Sequence, residues 1–226
     1  MSTPHLGPSA GSKFWPDGTP RHFPGNTIIS FVAAQSAEAH LLARTVDHLR
    51  ESVADDFVVL PPSSWHMTVF ELLCDQVRDA DHWSRFLDAD APLSAADEFF
   101  AERVPTVIAP SRLDMRSRCI SVGSAALGVL LEPADQVTTD ALHRYREELA
   151  IATGVRFPNH DSYRFHITLA YRLSPPTSNT QQQIDAAIQR ADIDLDDRGF
   201  EIAQPVLTYF SDMTDFDVGS RPPGTE

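Results

Sequence analysis

Two six-residue segments constrain this chain more than any other feature of it: SSWHMT at 63–68 and YRFHIT at 163–168, one hundred positions apart. In a β-strand alternate side chains share a face. His66 and Thr68 then project together with Ser64 and Phe70, while Trp65, Met67 and Val69 project to the other side. The second segment repeats the arrangement, with Arg164, His166, Thr168 and Ala170 on one face and Phe165, Ile167, Leu169 and Tyr171 on the other. Each strand therefore has a filled apolar back and a polar His–Thr front. A sheet packed on those backs must turn both His–Thr pairs toward solvent or a cleft.

The segments around the two motifs follow matching orders. TIISFVAA (27–34) has the β-branched content of a strand. Residues 36–52 read as a helix, with Ser36 as N-cap, Glu38 in the first turn and Leu41, Leu42, Val46 and Leu49 as its apolar stripe. A short strand at 56–60 and the break at Pro61-Pro62 lead into the first motif. In the second half a helix from Pro133 to about Thr153, stopped by Gly154, precedes the second motif, and Pro175-Pro176 ends it. Between the halves, 79–90 and 94–104 read as helical and 106–110, 111–115 and 119–123 as strands. Residues 179–191 read as a helix and 200–210 as two short strands about Pro205.

This order predicts an α+β fold: two pseudo-symmetric lobes with mostly antiparallel sheets, flanking a central cleft that carries the two His-x-Thr strands. Residues 1–26 form an N-terminal arm, in which KFWPDGTPRHFPGN mixes aromatics with turn formers. Residues 27–211 form the bilobal domain, and 212–226 a loose polar tail.

At 226 residues, with 42% hydrophobic and 22% charged, the composition is that of an ordinary globular protein. No apolar run approaches the roughly 18 residues of a membrane span. The N-terminus has neither the basic start nor the apolar block of a secretory signal. Cys74 and Cys119 are too few for a disulfide framework or a cysteine zinc site. A reducing, cytoplasmic location is expected. The formal net charge of −14 argues against long duplex nucleic acid and anionic membranes as partners. Lys13 is the single lysine, and the other basic residues are arginine. Arginine suits bidentate phosphate binding, although the bias also follows from genomic base composition. Any phosphate site is local, which fits a small nucleotide or an RNA end bound by a monomer.

Imidazole is the side chain that can be half protonated near neutrality. Two of them flanking one phosphorus can divide the work, one taking a proton from the attacking oxygen and the other giving one to the leaving oxygen. Two threonine hydroxyls can donate to the non-bridging oxygens. A metal site is not assigned, because two histidines without clustered carboxylates are short of ligands and His-x-Thr is not a zinc spacing. The simpler alternative makes each histidine a cross-strand neighbour on a solvated face; duplication in matched strands favours the site.

Paired His-x-Thr strands in two α+β lobes resemble the 2H phosphoesterase superfamily, which includes 2′,3′-cyclic phosphodiesterases and RNA 2′,5′-ligase-like proteins. SKFWPDGTPRHFPGNTIISF, LPPSSWHMTVFE and YRFHITLAY look like one branch of it, and the likeness spans roughly 12–210. The resemblance implies His66 and His166 as the acid–base pair and Thr68 and Thr168 as phosphate binders. Tyr171, five residues after His166, matches an aromatic that some cyclic phosphodiesterases place near the substrate. Simple alternation puts Tyr171 on the core face, so a twist or bulge is required for it to serve.

Arg164 is singled out by its own position, two residues before His166 on the same face. Its guanidinium could pair with phosphate or with a surface carboxylate. It would disfavour a protonated His166, which makes His166 the base and His66 the acid. Arg118 is a further candidate. The expected function is metal-independent, cofactor-free opening of a 2′,3′-cyclic phosphate of a nucleotide or oligonucleotide, as in RNA processing. The alternatives are a non-catalytic nucleotide- or phosphate-binding module, or the same chemistry on cyclic oligonucleotides or another small cyclic phosphate. DIDLDDRGF (192–200) departs from a calcium loop at Asp197 and Ala203 and reads as solvated charge.

Overall fold

The computed structural model describes residues 12–53, 56–123, 125–174, 178–195 and 197–219. Its elements run β1 (Gly25–Phe31), α1 (Ala37–Val53), β2 (Phe57–Val59), β3 (His66–Cys74), α2 (Leu93–Arg103), β4 (Arg112–Val122), β5 (Ala126–Pro133), α3 (Gln136–Thr153), β6 (His166–Arg172), α4 (Ser178–Leu195), β7 (Gly199–Ala203), β8 (Val206–Phe210) and β9 (Phe216–Val218). This is the predicted α+β class. All strand pairs among the described residues are antiparallel, and they join one sheet in the order β7-β4-β5-β6-β3-β1-β8-β9. β2 pairs with β6 beyond the point where β3 leaves it.

The two His-x-Thr strands lie side by side at the middle of that order. They meet at one pair, Met67↔Ile167, the residue between His and Thr in each motif. On the outer side of β3, β1 sets Phe31 against His66 and Ile29 against Thr68. On the outer side of β6, β5 sets Leu130 against His166 and Gly128 against Thr168. The two lobes are thus halves of one sheet, related by a pseudo-two-fold axis at Met67–Ile167. Only Gln204 and Pro205 join β7 to β8, which stand near opposite ends of the strand order. Three residue steps reach no further than about 11 Å, so the sheet must curl until its two ends approach.

The helices cover the sheet with apolar stripes, that of α1 as predicted. Leu41, Leu42, Val46 and Leu49 of α1 are buried, as are Leu142, Tyr145 and Leu149 of α3. Ser36 Oγ accepts the Ala39 N–H at 3.0 Å, as expected of an N-cap. Gly154, at φ 71°, stops α3 in the left-handed region that a side chain disfavours. Among the described residues no helix is long and apolar enough to cross a membrane.

Four expectations need correction. Residues 79–90 are a chain of turns rather than a helix. The Asp79 carboxylate accepts the Asp81 N–H and holds the His82 ring, and buried Trp83 donates its Nε1–H to the Asp88 carbonyl, so local side-chain bonds replace helical ones. Residues 106–110 form no strand, because a 3-10 turn at Val104–Thr106 carries Pro105, while 111–115 and 119–123 fuse into β4. β5 was not anticipated: its LGVLL run lacks the alternation that marks a half-buried strand. It also absorbs Pro133, and α3 starts later behind an Asp135 cap. Finally, the segment from 212 is not wholly loose. Phe216 packs on Phe210 at 5.4 Å between ring centroids, and β9 pairs with β8 around that contact. Residues 1–11, Pro175-Pro176 and 220–226, which fall within the arm, break and tail readings, lie outside the described residues.

Candidate active site

Each motif strand carries a bulge at the same place. In β3 the ladder with β1 passes from Ile29↔Thr68 to Ile28↔Phe70, leaving Val69 as the extra residue. In β6 the ladder with β5 passes from Gly128↔Thr168 to Leu127↔Ala170, leaving Leu169 as the extra residue. A bulge reverses the alternation beyond it. Phe70 and Ala170, expected on the His face, are therefore buried in the core. Glu71 and Tyr171 come round to line the same cavity as both His–Thr pairs. Tyr171 reaches the cleft through the irregularity it required, and Glu71 is its counterpart one hundred residues earlier.

The histidines are held alike. His66 Nδ1 lies 2.7 Å from the Ser64 carbonyl oxygen, and His166 Nδ1 lies 2.9 Å from that of Arg164. A carbonyl only accepts, so Nδ1 of each ring carries the proton and Nε2 is left for exchange with a ligand. Arg164 thus orients His166 through its backbone. Its exposed side chain lines the cavity on the β5 side of His166 and Thr168. Arg118, by contrast, pairs with Glu132 at 2.6 Å on β4 and is not among the residues lining these cavities.

The two imidazoles differ in surroundings. His66 lies against Phe216, 4.4 Å between centroids, and Phe31, 6.5 Å away. Burial lowers its pKa from 6.5 to about 4, and the neighbouring charge of His166 adds to the lowering, against the opposing bond to Ser64. Free of ligand, His66 is neutral at pH 7.

Tyr163 stands between the motifs: it lines the cavity together with Thr68, and its ring stands 6.3 Å from that of His166. Burial, with the Glu71 charge beside it, pushes its pKa far up, so it stays protonated. Behind it sits Arg146, buried on α3, with its guanidinium 4.6 Å from the Tyr163 ring. Arg146 donates to the carbonyl of Val69, the bulge residue, at 2.5 Å and to that of His160 at 2.9 Å. It pins both the β3 bulge and the turn leading to Tyr163. Asn159 on that turn donates to Glu71 at 3.3 Å.

The cleft forms a cavity of about 670 Å³ bounded by His66, Thr68, His166, Thr168, Glu71 and Tyr171. That is the size class of small-ligand pockets. Lys13 of the arm closes one side, with Nζ 4.8 Å from the Tyr171 ring centroid. Glu71, Tyr163, Lys13 and Phe216 escaped sequence reasoning. Glu71 was findable by matching each position to the one a hundred residues on. Elsewhere Glu147, His160 and Asp161 gather as metal ligands do. Arg156 is the cation of that cluster, bonding Glu147 at 2.9 Å and Asp161 at 2.6 Å.

Comparison with known proteins agrees with this architecture. A conserved protein of unknown function from Agrobacterium tumefaciens, ATU0111, superposes with a TM-score of 0.82 at 24% identity, over 96% of this chain and 93% of its own. TT0787 of Thermus thermophilus aligns at 14% identity with a TM-score of 0.48, over 81% of this chain and 87% of its own. Usb1 of Kluyveromyces marxianus, solved with uridine monophosphate, aligns at 8% identity with a TM-score of 0.47, over 87% and 96%. No curated protein matches the chain. Residues 13–124 match the family model 2H-phosphodiest, a domain of unknown function (DUF1868), in a span that contains the first His-x-Thr motif. Over those residues the chain is similar to the 2H-phosphodiest family.

Proposed function

We propose that the chain is a phosphodiesterase that opens a 2′,3′-cyclic phosphate of a nucleotide or oligonucleotide by histidine acid–base catalysis. The family match over residues 13–124 supports the phosphodiesterase class. The observation that carries the finer reading is the pair of imidazoles, both tied at Nδ1 to the carbonyl two residues back, on neighbouring strands of one cleft. Such rings differ in one respect that matters for catalysis. His66, neutral because it is buried, takes the proton of the attacking water at Nε2. The water oxygen bonds to phosphorus as the bond to one ribose oxygen breaks, and His166 supplies that oxygen with a proton. Thr68 and Thr168 donate to the non-bridging oxygens, where charge accumulates. The product is a 2′- or 3′-monoester. This assignment reverses the one suggested by Arg164: burial of His66 is the larger effect, since the Arg164 side chain is exposed.

Phosphorus NMR of purified protein with 2′,3′-cyclic mononucleotides and with linear dinucleotides tests the reading. The cyclic resonance should give way to a monoester resonance, with linear diesters left intact. Binding without turnover would make the protein a phosphate-binding module and overturn the proposal.

A further inference from the structure

In a chain with net charge −14, the one lysine of the sequence stands in the cleft. It is carried there by a built element. Phe14, fully buried, anchors the arm, and its bridge to Pro20 closes a small loop. The Arg21 N–H to Lys13 carbonyl bond, 2.9 Å, and the Trp15 N–H to Thr19 carbonyl bond, 2.8 Å, brace that loop. The Lys13 ammonium rests between two rings, 4.8 Å from the centroid of Tyr171 and 5.4 Å from that of Phe23. Among the described residues no carboxylate forms a salt bridge with it. Arg78, Arg112, Arg116, Arg118 and Arg156, by contrast, each pair with a carboxylate.

The distance along the strand says what the ammonium is for. Tyr171 lies three residues beyond Thr168, at most about 10 Å at the rise of a β-strand and less across the Leu169 bulge. A cation over the Tyr171 ring is therefore displaced from the phosphoryl group held between the histidines and threonines. Aromatic faces beside a cation are the recurrent means of holding a nucleotide by stacking and charge together.

We propose that Lys13, with Tyr171 and Phe23, forms a second-phosphate subsite. The substrate then carries another phosphate, one nucleotide's reach from the reacting one. This rests on the phosphodiesterase reading for its orientation, but its test does not.

Equilibrium binding is measured by calorimetry with adenosine 3′-monophosphate and adenosine 3′,5′-bisphosphate, for the full chain and for Lys13→Gln. The wild-type chain should prefer the bisphosphate about ten- to a hundredfold, the range of a charge-assisted contact. Lys13→Gln should remove that preference while leaving monophosphate affinity unchanged. The adenylyl dinucleotide bearing a 3′-phosphate, measured alongside, tells an internucleotide phosphate from a terminal one by which ligand loses affinity in Lys13→Gln. Because no other side chain of the sequence is a lysine, acylation of the unmutated protein gives an independent readout. The bisphosphate should slow Lys13 acylation several-fold and the monophosphate should not. Equal wild-type affinities, equal weakening of both ligands in Lys13→Gln, absence of bisphosphate binding, or absence of protection would each overturn the subsite. Loss of the cyclic-phosphate activity with a retained bisphosphate preference would instead sink the phosphodiesterase reading alone.

Discussion

Replacing Phe216 by alanine should raise the pKa of His66 and move the acid side of the pH profile with it. The ring of Phe216 packs at 4.4 Å against the imidazole, inclined to it by 59° and nearer than Phe31 at 6.5 Å, and burial is the leading cause of the lowering from 6.5 to about 4. That lowering is worth on the order of 3 kcal/mol of preference for neutral imidazole. Admitting water on one face should return about one pH unit of it. The sign for stability follows from linkage. The unfolded chain takes up the proton near 6.5 and the native one only near 4, so the ligand-free protein loses stability as pH falls through that window. In Phe216→Ala the window narrows from its lower end, and the loss is smaller. Imidazole carbon–proton correlation spectra, assigned with His66→Gln, follow the titration directly, and the acid limb of kcat/KM reports the same group as general base. A wild-type His66 that titrates near 6.5, or a midpoint unmoved in Phe216→Ala with the fold intact, would refute the reasoning.

His66→Ala and His166→Ala should each reduce turnover at least about a hundredfold, with the double mutant little worse, because paired groups act as a unit. A nitrophenyl phosphodiester, whose leaving group needs no acid, should rescue His166→Ala and not His66→Ala in steady-state assays; the opposite rescue would restore the assignment that Arg164 suggests. Since two imidazoles supply both proton transfers, exhaustive chelation should leave the initial rate unchanged, and activity restored by one divalent ion would refute this. Gly128→Ala places a methyl 2.5 Å from the Ile167 carbonyl oxygen, opposite Thr168; thermal unfolding should show about 1–3 kcal/mol lost and kcat should fall as Thr168 shifts. Arg146→Met leaves the Val69 and His160 carbonyls without their buried donor, and chemical denaturation should register about 2–4 kcal/mol, with Arg146→Lys recovering part of it.

Much of the candidate site was legible because strand alternation is a strict rule over short distances. His66, Thr68, His166 and Thr168 share one cleft, as their period of two required. The rule failed one residue past each threonine, where Val69 and Leu169 bulge. Nothing in VFELL or LAYRL announces an unpaired residue, since a bulge is decided by how neighbouring strands register. β5 was lost for a related reason: buried on both faces in its middle, it shows an apolar run rather than an alternation. The turns at 79–90 failed through local chemistry, in which Asp79 competes with the helix for backbone N–H groups. Phe216 could not be assigned to His66 from sequence, because the contact joins positions 150 residues apart.

One rung joins the strands that carry the two histidines, Met67↔Ile167, whereas each is fastened to its outer neighbour along most of its length. The sheet is therefore built like an open book with a narrow spine. The gap between His66 and His166 is set by the angle between its leaves, and that angle is the dimension with the least backbone bonding across it. β2 tempers this freedom: it belongs to the first half of the chain but is stitched to β6 by three successive pairs, Phe57↔Arg172 to Val59↔Ala170. Acting as a strap across the spine, it lets the leaves flex while keeping them from parting.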